Sequence, residues 1–185
     1  MKQELIEWGK AFIFAAIVVF VFNIFFGTTT VFSTSMYPTL IEKDIVLLTK
    51  LGAPERGDIV SFKSDLTIGK ESLKLLNPIQ RLMVNENSKK NLIKRVIALP
   101  GDEIKVQDGE VYVNGVLLDE PYVSSYTTGE IYIEKLEKNM FFLMGDNRSV
   151  SLDSRSSNVG PVDGDTIFGK VLVRIMPFNR MGEVQ

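Results

Sequence analysis

The chain contains no cysteine and no histidine in 185 residues. Without cysteine there is no disulfide framework, no thiol nucleophile and no thiolate metal site. Without histidine the usual general base near neutral pH and the commonest metal ligand are both missing. A Ser-His-Asp triad is therefore excluded, and any chemistry must rest on hydroxyls, carboxylates, lysines, arginines or backbone. No charge of one sign is in excess either: 21 basic against 23 acidic side chains give a net charge of −2. That balance offers no basic stripe for nucleic acid. The length fits one domain with an appendage, and is sufficient to bury a core without covalent staples.

Hydrophobic residues make up 45% of the chain but are unevenly spread. Ala11 to Phe26 (AFIFAAIVVFVFNIFF) carries no charge and one polar residue, Asn23. As helix this run spans ~24 Å, and extension through Phe32 gives ~33 Å, enough to cross a ~30 Å hydrocarbon core. Trp8 and Lys10 stand where interface anchors belong. A cleaved signal peptide would have a basic start, a shorter apolar run and an A-x-A site. Here Glu4 and Glu7 offset Lys2 and Lys10, and GTTTVF (27–32) offers no such site. A segment apolar on every face also fits a core helix poorly. The expectation is a short tail (1–10), an uncleaved membrane anchor (11–32) and a domain outside the bilayer (33–185). Lys2, Lys10 and the amino terminus, set against Lys43, favour a cytoplasmic N-terminus.

The remainder reads as β structure. In EIKVQDGEVYVNGVLL (103–118), Asp108-Gly109 and Asn114-Gly115 are two-residue hairpin turns between runs rich in Val and Tyr. They predict a β-meander within residues 103–138. DIVLLTK, DIVSFK, NLIKRVIAL, IYIEK, MFFLMG and TIFGKVLVRIM are further strand-like runs separated by turn residues. Residues 64–91 read as an insertion or mobile loop, in which LKLLNPIQRLMV could form a short helix broken at Pro78. The fold class expected is mostly β: an antiparallel sheet or partial barrel preceded by one transmembrane helix.

Three segments have unusual residue choices: Ser33-Thr34-Ser35-Met36-Tyr37-Pro38-Thr39-Leu40 directly after the anchor, Lys94-Arg95-Val96-Ile97-Ala98-Leu99-Pro100-Gly101-Asp102, and Met144 to Arg155 (MGDNRSVSLDSR). Singly, they read as a proline-restricted turn, a solvated basic pair and an exposed loop of weak ion pairs. Together, in this order after a single anchor, and with RGDIVSFK (56–63) as a fourth box, they resemble the bacterial type I signal peptidases. The short length and lone anchor are similar to the Gram-positive-type members. The resemblance implies a membrane-bound serine endopeptidase with a Ser-Lys dyad, cutting signal peptides from secreted preproteins after small residues, typically Ala-x-Ala. No cofactor or metal is implied.

By that resemblance Ser35, directly before Met-x-Pro, is the nucleophile and Lys94 the base. The residue pattern agrees with Lys94, because strand alternation sets it on one face with Leu92 and Val96. Burial among apolar groups can lower a lysine from ~10.4 by several units. Arg95 cannot serve, since its guanidinium stays protonated. The resemblance further implies an oxyanion hole from the Ser35 N–H and the Ser33 hydroxyl, and Ser151 as the group orienting the lysine. Asp146 toward Arg95, and Asp153 with Arg155, would support the loop carrying Ser151, together with Arg148. Many relatives have glycine where this chain has Thr34. Met36, Leu40 and Ile93 are candidate walls for the substrate pockets, with an extended preprotein adding as a strand beside the site. The implied surroundings are the lipid bilayer and the secretion translocase, with the catalytic domain extracytoplasmic.

Other readings are weaker. A penicillin-binding-type acyltransferase needs S-x-x-K, which the chain lacks. A self-cleaving Ser-Lys regulator would have a DNA-binding helix-turn-helix in place of an anchor. An anchored, non-catalytic β-domain binding secretory or cell-wall partners would predict a broken dyad, yet Ser35 and Lys94 are both present.

Overall fold

The computed structural model describes residues 1–67 and 87–184. Helix α1, Lys2–Phe25, opens the chain; its stretch Ile6–Phe25 is long and apolar enough to cross a membrane, and none of it is buried against the rest of the protein. The expected helical run to Phe32 stops short. Phe26–Thr30 (FGTTT) is instead a strand, β1. Three successive β-branched threonines and a glycine are poor helix formers, and their backbone groups are taken up in pairing with β2 (Ile45–Thr49). Lys50 reinforces the junction by donating its backbone N–H to the Phe25 carbonyl and its Nζ to that of Asn23, both at 2.8 Å. A cation at these carbonyls also complements the helix C-terminus.

The remaining strands are β3 (Ile59–Thr67), β4 (Lys89–Ala98), β5 (Ile104–Gln107), β6 (Glu110–Val113), β7 (Val116–Leu117), β8 (Ile131–Ile133), β9 (Met140–Met144), β10 (Val162–Asp163), β11 (Ile167–Met176) and β12 (Gly182–Glu183). The protein is thus mostly β, with antiparallel pairing throughout. The large sheet runs β1-β2-β11-β3-β4-β9-β10, with β12 on β11; the small one runs β7-β6-β5-β8. Both hairpin turns form as read: Asp108, Gly109, Asn114 and Gly115 all have positive φ, the conformation these residue types tolerate. The meander covers β5 to β7, whereas β8 returns to the far edge of β5. The expected insertion at 64–91 begins and ends as strand, in β3 and β4; its possible short helix around Pro78 lies outside the described residues.

Strands β4 and β9 pack on both faces. Ile97, Phe142 and Met144 join Ile104, Val106, Val111 and Val113 of the small sheet in one cluster. The alternate residues Leu92, Val96, Phe141 and Leu143 join Val60, Phe62 and Val162 in another. A third cluster gathers Val31, Met36 and Leu40 from the β1–β2 connection with Val46, Leu48 and Ile59. Each fully buried aliphatic or aromatic side chain contributes roughly 1.5–3 kcal/mol. The third cluster therefore seats the Ser35 segment firmly against the sheet.

Candidate active site

Ser35 lies in the loop 31–44. The neck of that loop is closed by Val31 N–H to Asp44 O and Lys43 N–H to Val31 O, at 2.9 and 2.8 Å. Met36 and Leu40 are buried beneath it, leaving Ser35 8% exposed. Lys94 stands in β4 opposite Val60 and is only 2% exposed. Its Nζ lies 2.6 Å from Ser35 Oγ, although the two residues are 59 positions apart. Burial lowers the Lys94 pKa from its ordinary value to about 8. Asp153 and Asp146 pull it upward, while Lys90 and Arg155 push it down. Desolvation prevails because the amine is buried and the carboxylates are engaged by arginines. The Ser33 hydroxyl is 3.1 Å from Ser35 Oγ.

The loop after β9 clasps this pair. Asn147 donates its N–H to the Ser35 carbonyl at 3.0 Å and its Nδ2 to that of Thr34 at 3.2 Å. Gly145 is the close-approach point: a Cβ there would lie 2.3 Å from Ser151 Oγ and 2.4 Å from the Ser35 carbonyl oxygen. Ser151 is thereby held against the Ser35 segment. Its Oγ is buried and makes no well-formed hydrogen bond, although the hydroxyl is near enough to Asp153 to favour that carboxylate.

The four charged residues of this loop are each paired. Arg95 holds Asp146 through two hydrogen bonds, at 2.9 and 2.8 Å, and stacks on Tyr122 with 3.9 Å from its Cζ to the ring centroid. Arg155 grips Asp153 with Nε and Nη2, both at 2.9 Å. Burial alone would raise the Asp153 carboxyl; Arg155, the Gly145 N–H and Ser151 outweigh it and hold the group below the usual carboxylate range. Arg148 is fully buried, donating to Gly145 O and to Thr127, and forms a paired contact with Glu120.

Ser35, Lys94, Ser33, Ser151 and the arginine–aspartate pairs are thus brought into one place. Met36 and Leu40 are core residues with almost no exposure, whereas Ile93 is half-buried and packs on the same cluster. Sequence reasoning missed Glu120 and Thr127, which reach Arg148 from the β7–β8 connection, Tyr122 of the same connection, which stacks on Arg95 of β4, and Thr39, which donates to Asp146. Only the need of a buried guanidinium for a carboxylate could have signalled Glu120. Among the described residues no group of acidic side chains could hold a metal ion.

A family model described as signal peptidase, peptidase S26, matches residues 5–176. The chain belongs to this family. Signal peptidase IB of Staphylococcus aureus is 31% identical over 97% of this chain and 93% of its own. A probable signal peptidase I-2 of Synechocystis sp. is 34% identical over 96% of this chain and 76% of its own. The crystal structure of a signal peptidase I from Enterococcus faecalis V583 matches with a TM-score of 0.48 and 26% identity, covering 65% of this chain and 98% of that one. As a signal peptidase family member the chain is a serine endopeptidase, a hydrolase whose family removes signal peptides from preproteins. The apolar α1 accords with membrane anchoring.

Proposed function

We propose that this peptidase works by a Ser-Lys dyad. Ser35 Oγ attacks the scissile carbonyl carbon while neutral Lys94 Nζ takes its proton. The tetrahedral intermediate collapses, the departing amine receives that proton from Lys94, and the signal peptide is left as an ester on Ser35. Water then attacks the ester, passes a proton to Lys94, and the serine is released with its own proton restored. The Ser35 N–H and Ser33 hydroxyl stabilise the oxyanion, each worth a few kcal/mol. Ser151 turns the lysine's lone pair toward Ser35 when its buried Oγ, which has no well-formed hydrogen bond here, accepts from Nζ.

The observation that carries this reading is the 2.6 Å contact between a buried lysine and a serine. With a pKa near 8, about a tenth of the lysine is neutral at pH 7, against fewer than one in a thousand at the ordinary value. Arg95, Asp146, Arg148, Asp153 and Arg155 support the loop that holds Ser151. The substrate adds as an extended strand, and an edge is available: β9 pairs with β4 only from Arg95 onward, so the preceding half of β4 has no strand partner on that side among the described residues. Ile93 walls a pocket for small residues at positions one and three before the cut, while Met36 and Leu40 support it from the core beneath. The N-terminus is cytoplasmic and the β domain extracytoplasmic, at the bilayer surface where preproteins leave the translocase.

The test is cleavage of a preprotein bearing an Ala-x-Ala site by the full chain in detergent or vesicles. Wild type cuts after the second alanine; Ser35→Ala and Lys94→Ala abolish cutting. Full activity of either variant would refute the dyad. Self-cleavage at a rate independent of concentration, with no preprotein cut, would favour the regulator reading instead.

A further inference from the structure

The last strands bear on the nucleophile loop. Asp44, at the loop's neck, is fully buried. Its carboxylate accepts the Ile41 N–H at 3.0 Å, Arg180 Nη1 at 3.0 and 3.2 Å, and Arg174 Nη1 at 3.3 Å. Arg174 Nη1 also donates to the Thr39 carbonyl at 3.0 Å, and its Nε donates to the carbonyl of Arg180. The Thr39 hydroxyl in turn donates to Asp146, which holds Arg95 beside Lys94. A continuous polar chain therefore joins the 3-10 turn Phe178–Arg180 to both halves of the site. Arg180 lies beyond residues 5–176, the part matched by the family model.

The direction of this restraint follows from where its members sit. Thr39, Ile41 and Asp44 all belong to the loop, whereas Arg174 and Arg180 come from β11 and the turn after it. Loss of Arg180 still leaves Asp44 with Arg174 and the Ile41 N–H, so the carboxylate is not stranded in the core. What is lost is the tie between the loop neck and the 3-10 turn after β11, leaving Arg174 as the one arginine on Asp44. A loop carrying a nucleophile tolerates little slack, because displacement of ~1 Å can cost ~100-fold in rate.

We propose that Arg174 and Arg180, acting through Asp44, are positioning residues that hold the 31–44 loop so that Ser35 Oγ stays in reach of Lys94. This rests on the reading of Ser35 as nucleophile. The test compares the full-length wild type with Arg180→Gln, Arg180→Lys and Ser35→Ala, by preprotein cleavage and by hydrogen–deuterium exchange. Arg180→Gln should lower kcat roughly 10- to 100-fold with KM within about twofold, and Arg180→Lys should recover part of that loss. Exchange should quicken in peptides from 31–44 and remain unchanged in β4 and β9. Wild-type kcat in Arg180→Gln would overturn the proposal, as would faster exchange across the whole β domain, which would mark a general loss of stability. The Ser35→Ala arm separates the two ideas. If it still cleaves, the nucleophile assignment falls, and exchange in 31–44 alone decides whether the turn Phe178–Arg180 restrains the loop.

Discussion

Replacing Lys94 by methionine should abolish catalysis and yet stabilise the protein. The lysine is 2% exposed, and burial brings its pKa from 10.5 down to about 8. Below pH 8 both folded and unfolded chains carry the proton, so the cost of burying the charge is felt in full. Between 8 and 10.5 the folded chain has released it while the unfolded chain has not, and the cost shrinks. Above 10.5 neither form is charged. At 1.36 kcal/mol per unit the shift corresponds to about 3 kcal/mol at pH 7. Methionine fills a similar volume without charge but forgoes the hydrogen bond to Ser35, worth about 1 kcal/mol. The net gain is about 2 kcal/mol, or roughly 4–8 °C in Tm for a domain of this size. Thermal unfolding of wild type and Lys94→Met, followed by circular dichroism at pH 7 and again near pH 10.5, measures it. A Tm for Lys94→Met at or below wild type at pH 7 would refute the reasoning, as would a gain that persists undiminished at the higher pH.

Two other substitutions probe the loop after β9. Gly145→Ala introduces a Cβ 2.3 Å from Ser151 Oγ and 2.4 Å from the Ser35 carbonyl, so one of them must move; kcat for preprotein cleavage should fall roughly 10- to 100-fold, with unfolding curves showing a domain still folded. Glu120→Ala leaves the fully buried Arg148 without its carboxylate and should cost about 3 kcal/mol, read as a lower midpoint in urea with an unchanged slope.

Much of the fold was legible because its signals are local. The DG and NG turns dictate positive φ, and the alternation Leu92, Lys94, Val96 separates two faces of β4 within a few residues. The run IVLLT became β2, and MFFLM became β9 with its two faces in two cores. Phe26–Thr30 reads as anchor because hydropathy does not distinguish a lipid-facing helix from a strand that gains its stability from β2, a segment some twenty residues later. The site divides in the same way. Ser35 and Lys94 carry their chemistry in residue type and neighbours. Glu120, by contrast, is an ordinary exposed-looking acid until Arg148 folds onto it from 28 residues away. Asp44 belongs to a partnership with Arg174 and Arg180 across 130 and 136 positions, which no spacing rule reveals.

The pH dependence of kcat/KM for preprotein cleavage, taken from pH 6 to 10, tests most directly whether Lys94 acts as the neutral base. Because kcat/KM follows ionisation of the free enzyme, activity should rise about tenfold per pH unit on the acid side and level off at a midpoint near 8, the value burial gives Lys94. A profile flat across this range, or still climbing at pH 10 as an unperturbed lysine would require, would contradict it.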